Sequence, residues 1–145
     1  MADPKAIRIV DANCNRAREA LRVVEDIVRF CHEDANLTRR LKRERHLIAR
    51  YCDGILKHSL KGMQARNVKG DPGKTSMPAG EMTRRNFSDL LIANFRRAEE
   101  SLRVLEEVSK LIDPRKSQHF KRSRFRVYRI EQSCLSLLGS DLEKN

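Results

Sequence analysis

DANCNRAREALRVVEDIVR, residues 11–29, returns as IANFRRAEESLRVLEEVSK, residues 92–110, without a gap and at an offset of 81. Nine of the 19 aligned positions are identical, too many for two unrelated helices. Further on, Leu41-Lys42-Arg43 corresponds to Phe120-Lys121-Arg122 at an offset of 79. The repeated unit is therefore a helix, a short break and a second helix, present twice.

The helices follow from periodicity. Cys14, Ala17, Leu21, Val24, Val28 and Cys31 alternate steps of three and four. Phe95, Ala98, Leu102, Leu105 and Ile112 keep the same beat, with Ser109 its one polar member. Ala20, Val23 and Ile27 widen the stripe, which suits a globular bundle better than a two-stranded coil. The second helices carry Leu37, Leu41, Ile48, Tyr51, Ile55 and Phe120, Val127, Ile130, Cys134, Leu137. Asp11 is a cap candidate for the first helix, Asp34 or Asn36 for the second, and Asp113-Pro114 marks another start. Gly139 suits a helix stop. The expected helices are 12–33, 36–61, 82–112 and 115–138, giving an all-α four-helix bundle of two duplicated hairpins with pseudo-twofold symmetry. The chain reads as a single helical domain over 1–145, with repeat one about 8–61, a linker loop 62–80 and repeat two about 82–138. That loop, GMQARNVKGDPGKTSMPAG, holds four of the six glycines and two of the four prolines. It reads equally as a plain crossover or as an ordered functional loop.

Composition narrows the classes. Lysine and arginine number 31 against 20 acids, a net charge of +11, and charged residues make up 35% against 5% aromatic. So few aromatics and turn residues argue against a β-sandwich or barrel. No apolar run is long enough for a membrane span, the N-terminus lacks a signal-peptide core, and a cytoplasmic protein is expected. Cys14, Cys31, Cys52 and Cys134 form no CxxC pair and read as reduced, mostly buried thiols. Four scattered histidines suggest no metal site.

The positive charge calls for an anionic partner. It concentrates on the second helices: residues 37–50 hold six Lys and Arg against Glu44, and 115–129 hold seven with no acid. These helices could lie along nucleic-acid phosphates, but no base-reading motif accompanies them, and a solvated basic face explains them equally. More telling are Asn13/Asn94, Arg16/Arg97, Glu19/Glu100, Arg22/Arg103 and Glu25/Glu106, identical in both copies while Arg18/Glu99 and Asn15/Arg96 have diverged. Two readings stand: a packed network between the first helices, or a ligand site at their pseudo-twofold interface.

At these residues the chain resembles a known family. IVDANCNRAREALRVVED, residues 9–26, is similar to that family's opening motif, and ANFRRAEESLRVLEE, residues 93–107, to its second. The family is the monofunctional hydroxymethylpyrimidine phosphate kinases of thiamine biosynthesis, which occur alone and fused in front of thiamine-phosphate synthase. The resemblance covers roughly 8–135 and implies the stand-alone form. It implies transfer of the ATP γ-phosphoryl group to the phosphate of hydroxymethylpyrimidine phosphate, with Mg2+ as cofactor and ATP as co-substrate. Such a reaction needs positioning and charge neutralisation more than a general base. On that resemblance Arg16, Arg22, Arg97 and Arg103 would clamp phosphates, with Glu19 and Glu100 beside them in catalysis. Glu25 and Glu106 would hold magnesium. Asn13, Asn94 and Arg66 would bind the pyrimidine phosphate. In the loop, Gly70, Gly73, Lys74 and Thr75 would close over the nucleotide. Asn67 and Pro72 depart from the family's pattern, and Val68 stands where a P-loop has its first glycine. The expected partners are the phosphorylated pyrimidine and ATP. A thiamine-phosphate synthase or a second copy of the chain are further candidates, with no membrane and no nucleic acid. A non-catalytic module partnering the synthase and a nucleic-acid-binding bundle are the alternatives.

Overall fold

A computed structural model describes the backbone of residues 2–57, 68–75 and 83–143, with side chains through residue 139. Four helices account for most of it: α1 (Pro4–Phe30), α2 (Ala35–Leu56), α3 (Phe87–Ser109) and α4 (Pro114–Glu143). No strand occurs among the described residues. The all-α expectation holds, and the boundaries differ in instructive ways. α1 begins at Pro4, capped by Asp3, whose side chain accepts from the Lys5 N–H. Asp3-Pro4 is the same cap-then-proline signal as Asp113-Pro114, which does open α4. Asp11, expected as the cap, is buried inside α1. Asp34 caps α2 as expected, accepting from the Leu37 N–H at 2.8 Å. α3 starts at Phe87 rather than 82, because Asn86 accepts from the Asp89 N–H at 2.8 Å. Gly139 stops nothing. α4 runs on to Glu143, and no glycine among the described residues takes the left-handed conformation that a glycine stop uses. That conformation falls instead on Glu33, with φ of 52°, in the turn between α1 and α2.

Each hairpin joint takes four residues, 31–34 and 110–113. Such short joints force antiparallel partners. α1 packs on α2 and on α3, and α4 packs on α3 and on α2, so the four helices close a ring. Contacts between α2 and α4 run in opposite senses: Arg40 reaches Ser133, Glu44 meets Arg126, and Lys116 donates to the Gly54 carbonyl. The pseudo-twofold axis therefore crosses the helices rather than running along them.

The core is the predicted stripe. Cys14, Ala17, Leu21, Val24 and Val28 of α1 are buried with Leu41 and Ile48 of α2, Phe95, Ala98, Leu102 and Leu105 of α3, and Phe120, Val127 and Ile130 of α4. Truncating any of the large ones to alanine is of the class that costs about 2–5 kcal/mol. Cys31, expected on the stripe, is exposed beyond the end of α1. The reduced-thiol expectation also fails for two residues. Cys14 and Cys52 are bonded as a disulfide joining α1 to α2, with Cα atoms 6.0 Å apart. Spacing along the chain gave no hint of it, because the pairing arises only when antiparallel helices bring positions 38 residues apart face to face. Cys134 remains a buried thiol, and burial pushes its pKa up to about 12.

Polar residues lock the hairpins as well. Arg45 of α2 makes two hydrogen bonds to Glu25 of α1, the shorter at 2.7 Å, and Arg22 approaches the same carboxylate at 3.6 Å. In the second hairpin Arg124 of α4 holds Glu106 at 2.8 Å and Arg103 lies 3.2 Å from it. Arg124 stands 79 residues after Arg45 and Glu106 stands 81 after Glu25, so one interaction is built twice. Both carboxylates are buried. A buried charge that loses its partner is costly.

Two predictions follow from these locks. Glu25→Ala and Glu106→Ala should each lower the unfolding free energy in urea by about 3 kcal/mol, while Glu19→Ala, on the exposed face of α1, should change it by less than about 0.5 kcal/mol. Reducing the disulfide, or Cys52→Ala, should lower it by about 3–4 kcal/mol, the loop-closure value for this separation.

Candidate functional site

A cleft of about 870 Å3 opens beside α1 and α3. Its walls are Asn13 and Arg16 of α1, Thr83, Arg84 and Arg85 leading into α3, and Asp89 to Val104 along one face of α3, including Arg96, Arg97, Glu100 and Ser101. Five guanidinium groups thus face two carboxylates, a local surplus of 5 − 2 = 3 positive charges. One of the acids is already engaged, since Arg85 Nε lies 3.5 Å from Asp89 Oδ2. Arg84 donates to the Thr83 carbonyl at 3.0 Å. Among the described residues, the Arg16 and Arg97 guanidinium groups have no hydrogen-bond or ion-pair partner. Positive and open, such a cleft suits a compact anion.

Asn13 and Ser101 are the buried polar groups that line the cleft; Ser101 donates to the Arg97 carbonyl at 2.7 Å, and Asn13 lies on the α1 side. Its Nδ2 donates to the Ile9 carbonyl at 2.9 Å, one turn back along α1. Asn94 repeats the arrangement with Leu90 at 2.8 Å. The bond fixes each amide and leaves its carbonyl oxygen to accept from elsewhere.

The structure divides the residues singled out by the repeat. Arg16, Arg97, Asn13 and Glu100 come together in the cleft. Asn94, Glu19, Arg22 and Arg103 do not line it. Arg22 and Arg103 bend toward the hairpin carboxylates, at 3.6 and 3.2 Å, and Arg103 also meets Glu107 at 3.2 Å. The packed network joins each first helix to its own hairpin partner rather than the two first helices to each other, while Arg16, Arg97, Asn13 and Glu100 share one cleft. Glu25 and Glu106 each face two guanidinium groups, an environment that repels a divalent cation. Among the described residues no group of three or more His, Cys, Asp or Glu side chains is arranged to hold a metal. Glu25 and Glu106, each already facing two guanidinium groups, do not fit a magnesium centre.

Of the loop, Arg66 and Asn67 lie outside the described residues. Gly70, Gly73, Lys74 and Thr75 lie in an exposed turn over 68–75. There Asp71 accepts from the Gly73 N–H at 2.8 Å, and Lys74 Nζ donates to the Lys69 carbonyl at 3.0 Å. None of the four lines the cleft. Arg84, Arg85 and Arg96, which do, stand outside the residues matched between the copies. Arg96 replaces Asn15 and so looked like drift. The Arg84-Arg85 pair just ahead of α3 was the available signal.

Behind this wall α3 buries an acid that meets a half-buried acid of α4. Glu99 is only 8% exposed, and its Oε2 has no hydrogen-bond partner. Burial, then a hydrogen bond and like charge from Glu131 of α4, push its pKa from 4.5 up to about 8. Glu100 acts in the same sense, and Arg96 opposes it. The Glu99 carboxyl is therefore held protonated at neutral pH. Elsewhere the charged pairs are conventional: Glu44 accepts from Arg126 at 2.8 Å and raises the guanidinium pKa.

The ThiD2 family model matches residues 8–133. A thiamine-phosphate synthase of Synechocystis sp. is 43% identical over 142 residues, 97% of this chain and 39% of the relative. One from Thermosynechococcus vestitus is 42% identical over 126 residues, 87% of this chain and 34% of the relative. One from Rhodopirellula baltica is 36% identical over 122 residues, 84% and 32%. The chain thus spans only about a third to two-fifths of the length of these relatives. No solved structure matches it. These relatives correct the kinase expectation: proteins similar across most of the chain carry the name of a synthase, not of a kinase, and ATP as co-substrate loses its support. The thiamine-biosynthesis context stands. No helix among the described residues is long and apolar enough to cross a membrane.

Glu99 sets a pH signature. Its carboxyl is held protonated in the fold and ionises near 4.5 when unfolded. The unfolded chain therefore binds fewer protons than the folded one between these values, and stability falls as pH rises from about 4.5 to about 8. Urea titrations across this range should show that decline in the native chain, and Glu99→Gln should flatten it.

Proposed function

Because this chain belongs to the ThiD2 family, we propose that it serves thiamine-phosphate synthesis as a helical unit that binds a phosphorylated heterocyclic substrate or product in the α1–α3 cleft. The observation that carries this reading is the pairing of Arg16 and Arg97, the same residue from each copy of the repeat, on the walls of one cleft without a side-chain partner among the described residues. A phosphate ester carries up to two negative charges and several acceptor oxygens, which planar guanidinium groups meet with paired hydrogen bonds. Arg84, Arg85 and Arg96 add charge around that position. Asn13 offers its carbonyl oxygen to an N–H donor on the heterocycle, and its own N–H bond to Ile9 keeps it aimed. Glu100 supplies the one acidic acceptor not paired to Arg85.

The chain's residues act here by binding, orienting and neutralising charge. In the relatives, the matched segment accounts for about a third of the protein. The remaining two-thirds would complete the synthase activity.

Equilibrium dialysis with thiamine phosphate tests the proposal. Arg16→Ala and Arg97→Ala should each weaken binding about tenfold, the loss of one charge-assisted contact, and the double variant should abolish it. Arg129→Ala, on the exposed basic face of α4, should leave it within twofold. Equal affinity in the native and double-variant proteins would sink the assignment.

A further inference from the structure

The cleft and the buried Glu99 carboxyl, whose Oε2 has no partner, meet at one residue. Arg96 lines the cleft and is also the cation that favours the charged form of Glu99, one helical turn away. Glu100, the next residue along, lines the cleft and disfavours that charge. We propose, resting on the anion-binding reading above, that an anion entering the cleft is accompanied by fractional proton uptake at the buried Glu99 carboxyl, with Arg96 as the charge common to both.

The geometry supplies the coupling. Glu99 is buried where α3 packs on α4, so its carboxyl has little water to stabilise an ionised form. Glu131 reaches it from α4. On its own helix it is faced by Arg96 and Glu100. From α2, Asp34 and Arg40 act on the neighbouring Cys134 of α4, as does Glu131. Among the described residues Arg96 is the cation that acts on Glu99. A dianion seated at Arg96 offsets its field and adds negative charge on the Glu100 side. Both effects favour the protonated acid. The proton comes from bulk water, and no bond in the ligand is made or broken. Linkage is reciprocal: if the anion raises proton affinity, protonation raises anion affinity by the same factor.

Sulfate is the probe, because it stays a dianion throughout the range and takes up no proton of its own. The native chain should bind sulfate about threefold more weakly at pH 9 than at pH 7, the change that a shift of about half a pKa unit produces. Calorimetry at pH 8 in two buffers of different ionisation enthalpy should show fractional proton uptake on binding. Glu99→Gln should keep its helical circular dichroism and bind sulfate with equal affinity at both pH values and without uptake. Glu131→Gln should keep a pH step but move it to lower pH. An unchanged pH slope in Glu99→Gln, or no uptake in the native chain, overturns the linkage alone, provided sulfate binding is weakened by Arg16→Ala with Arg97→Ala. Sulfate binding indifferent to that double variant, or absent, overturns the cleft assignment and the linkage with it.

Discussion

Two buried carboxylates, Glu25 and Glu106, hold this bundle in register. Each is gripped across its hairpin, by Arg45 or Arg124, and along its own helix, by Arg22 or Arg103. A buried charge tolerates few geometries, because any slip of one helix past the other strands it without a partner. Apolar stripes alone would let the two helices of a hairpin slide by a turn with modest loss. The ion pairs forbid that slide, and they do so at matched points in both halves. With the hairpins fixed, α1 and α3 can present Arg16 and Arg97, whose guanidinium groups the lock leaves unused.

The duplicated polar residues are thus two sets interleaved on one surface. Spaced by three, the repeated positions advance by less than a full helical turn and so creep around the helix. Arg22/Arg103 and Glu25/Glu106 reach toward the hairpin partner. Arg16/Arg97 arrive earlier on the same spiral and face the cleft. A single pattern of identical residues in the two copies therefore divides into a hairpin scaffold and a set that lines the cleft, which explains why the repeat alone left both readings open.

The fold was open to reading because periodicity and duplication are local properties of a chain. The stripe from Cys14 to Val28 and its counterpart from Phe95 to Leu105 settle helix, face and partner together. Helix ends were read less well where two signals competed: Asp11 before a strongly periodic run outweighed the Asp3-Pro4 pair. What depended on contacts between distant residues could not be read. Cys14 and Cys52 carry no mutual signature, and Glu99, an acid on an otherwise ordinary helix face, gives no sign that it meets Glu131. The cleft was half visible. Arg16, Arg97, Asn13 and Glu100 belonged to the repeated pattern, whereas Arg84, Arg85 and Arg96 had no counterpart to draw attention to them. The kinase activity implied by resemblance was specific beyond what the residues supported, and it is not the activity that the relatives' names state.

A site lying on a true twofold axis would offer any ligand two equivalent poses, and half of the bound molecules would face the wrong way for whatever happens next. The cleft here keeps the arginine from each copy but takes its amide from the first, Asn13, and its carboxylate from the second, Glu100. Asn94 and Glu19, their counterparts, stand elsewhere. Duplication supplied the paired charges, and the departure from symmetry supplies a head and a tail. An asymmetric molecule entering the cleft therefore meets a polarity that a perfect dimer of hairpins could not express.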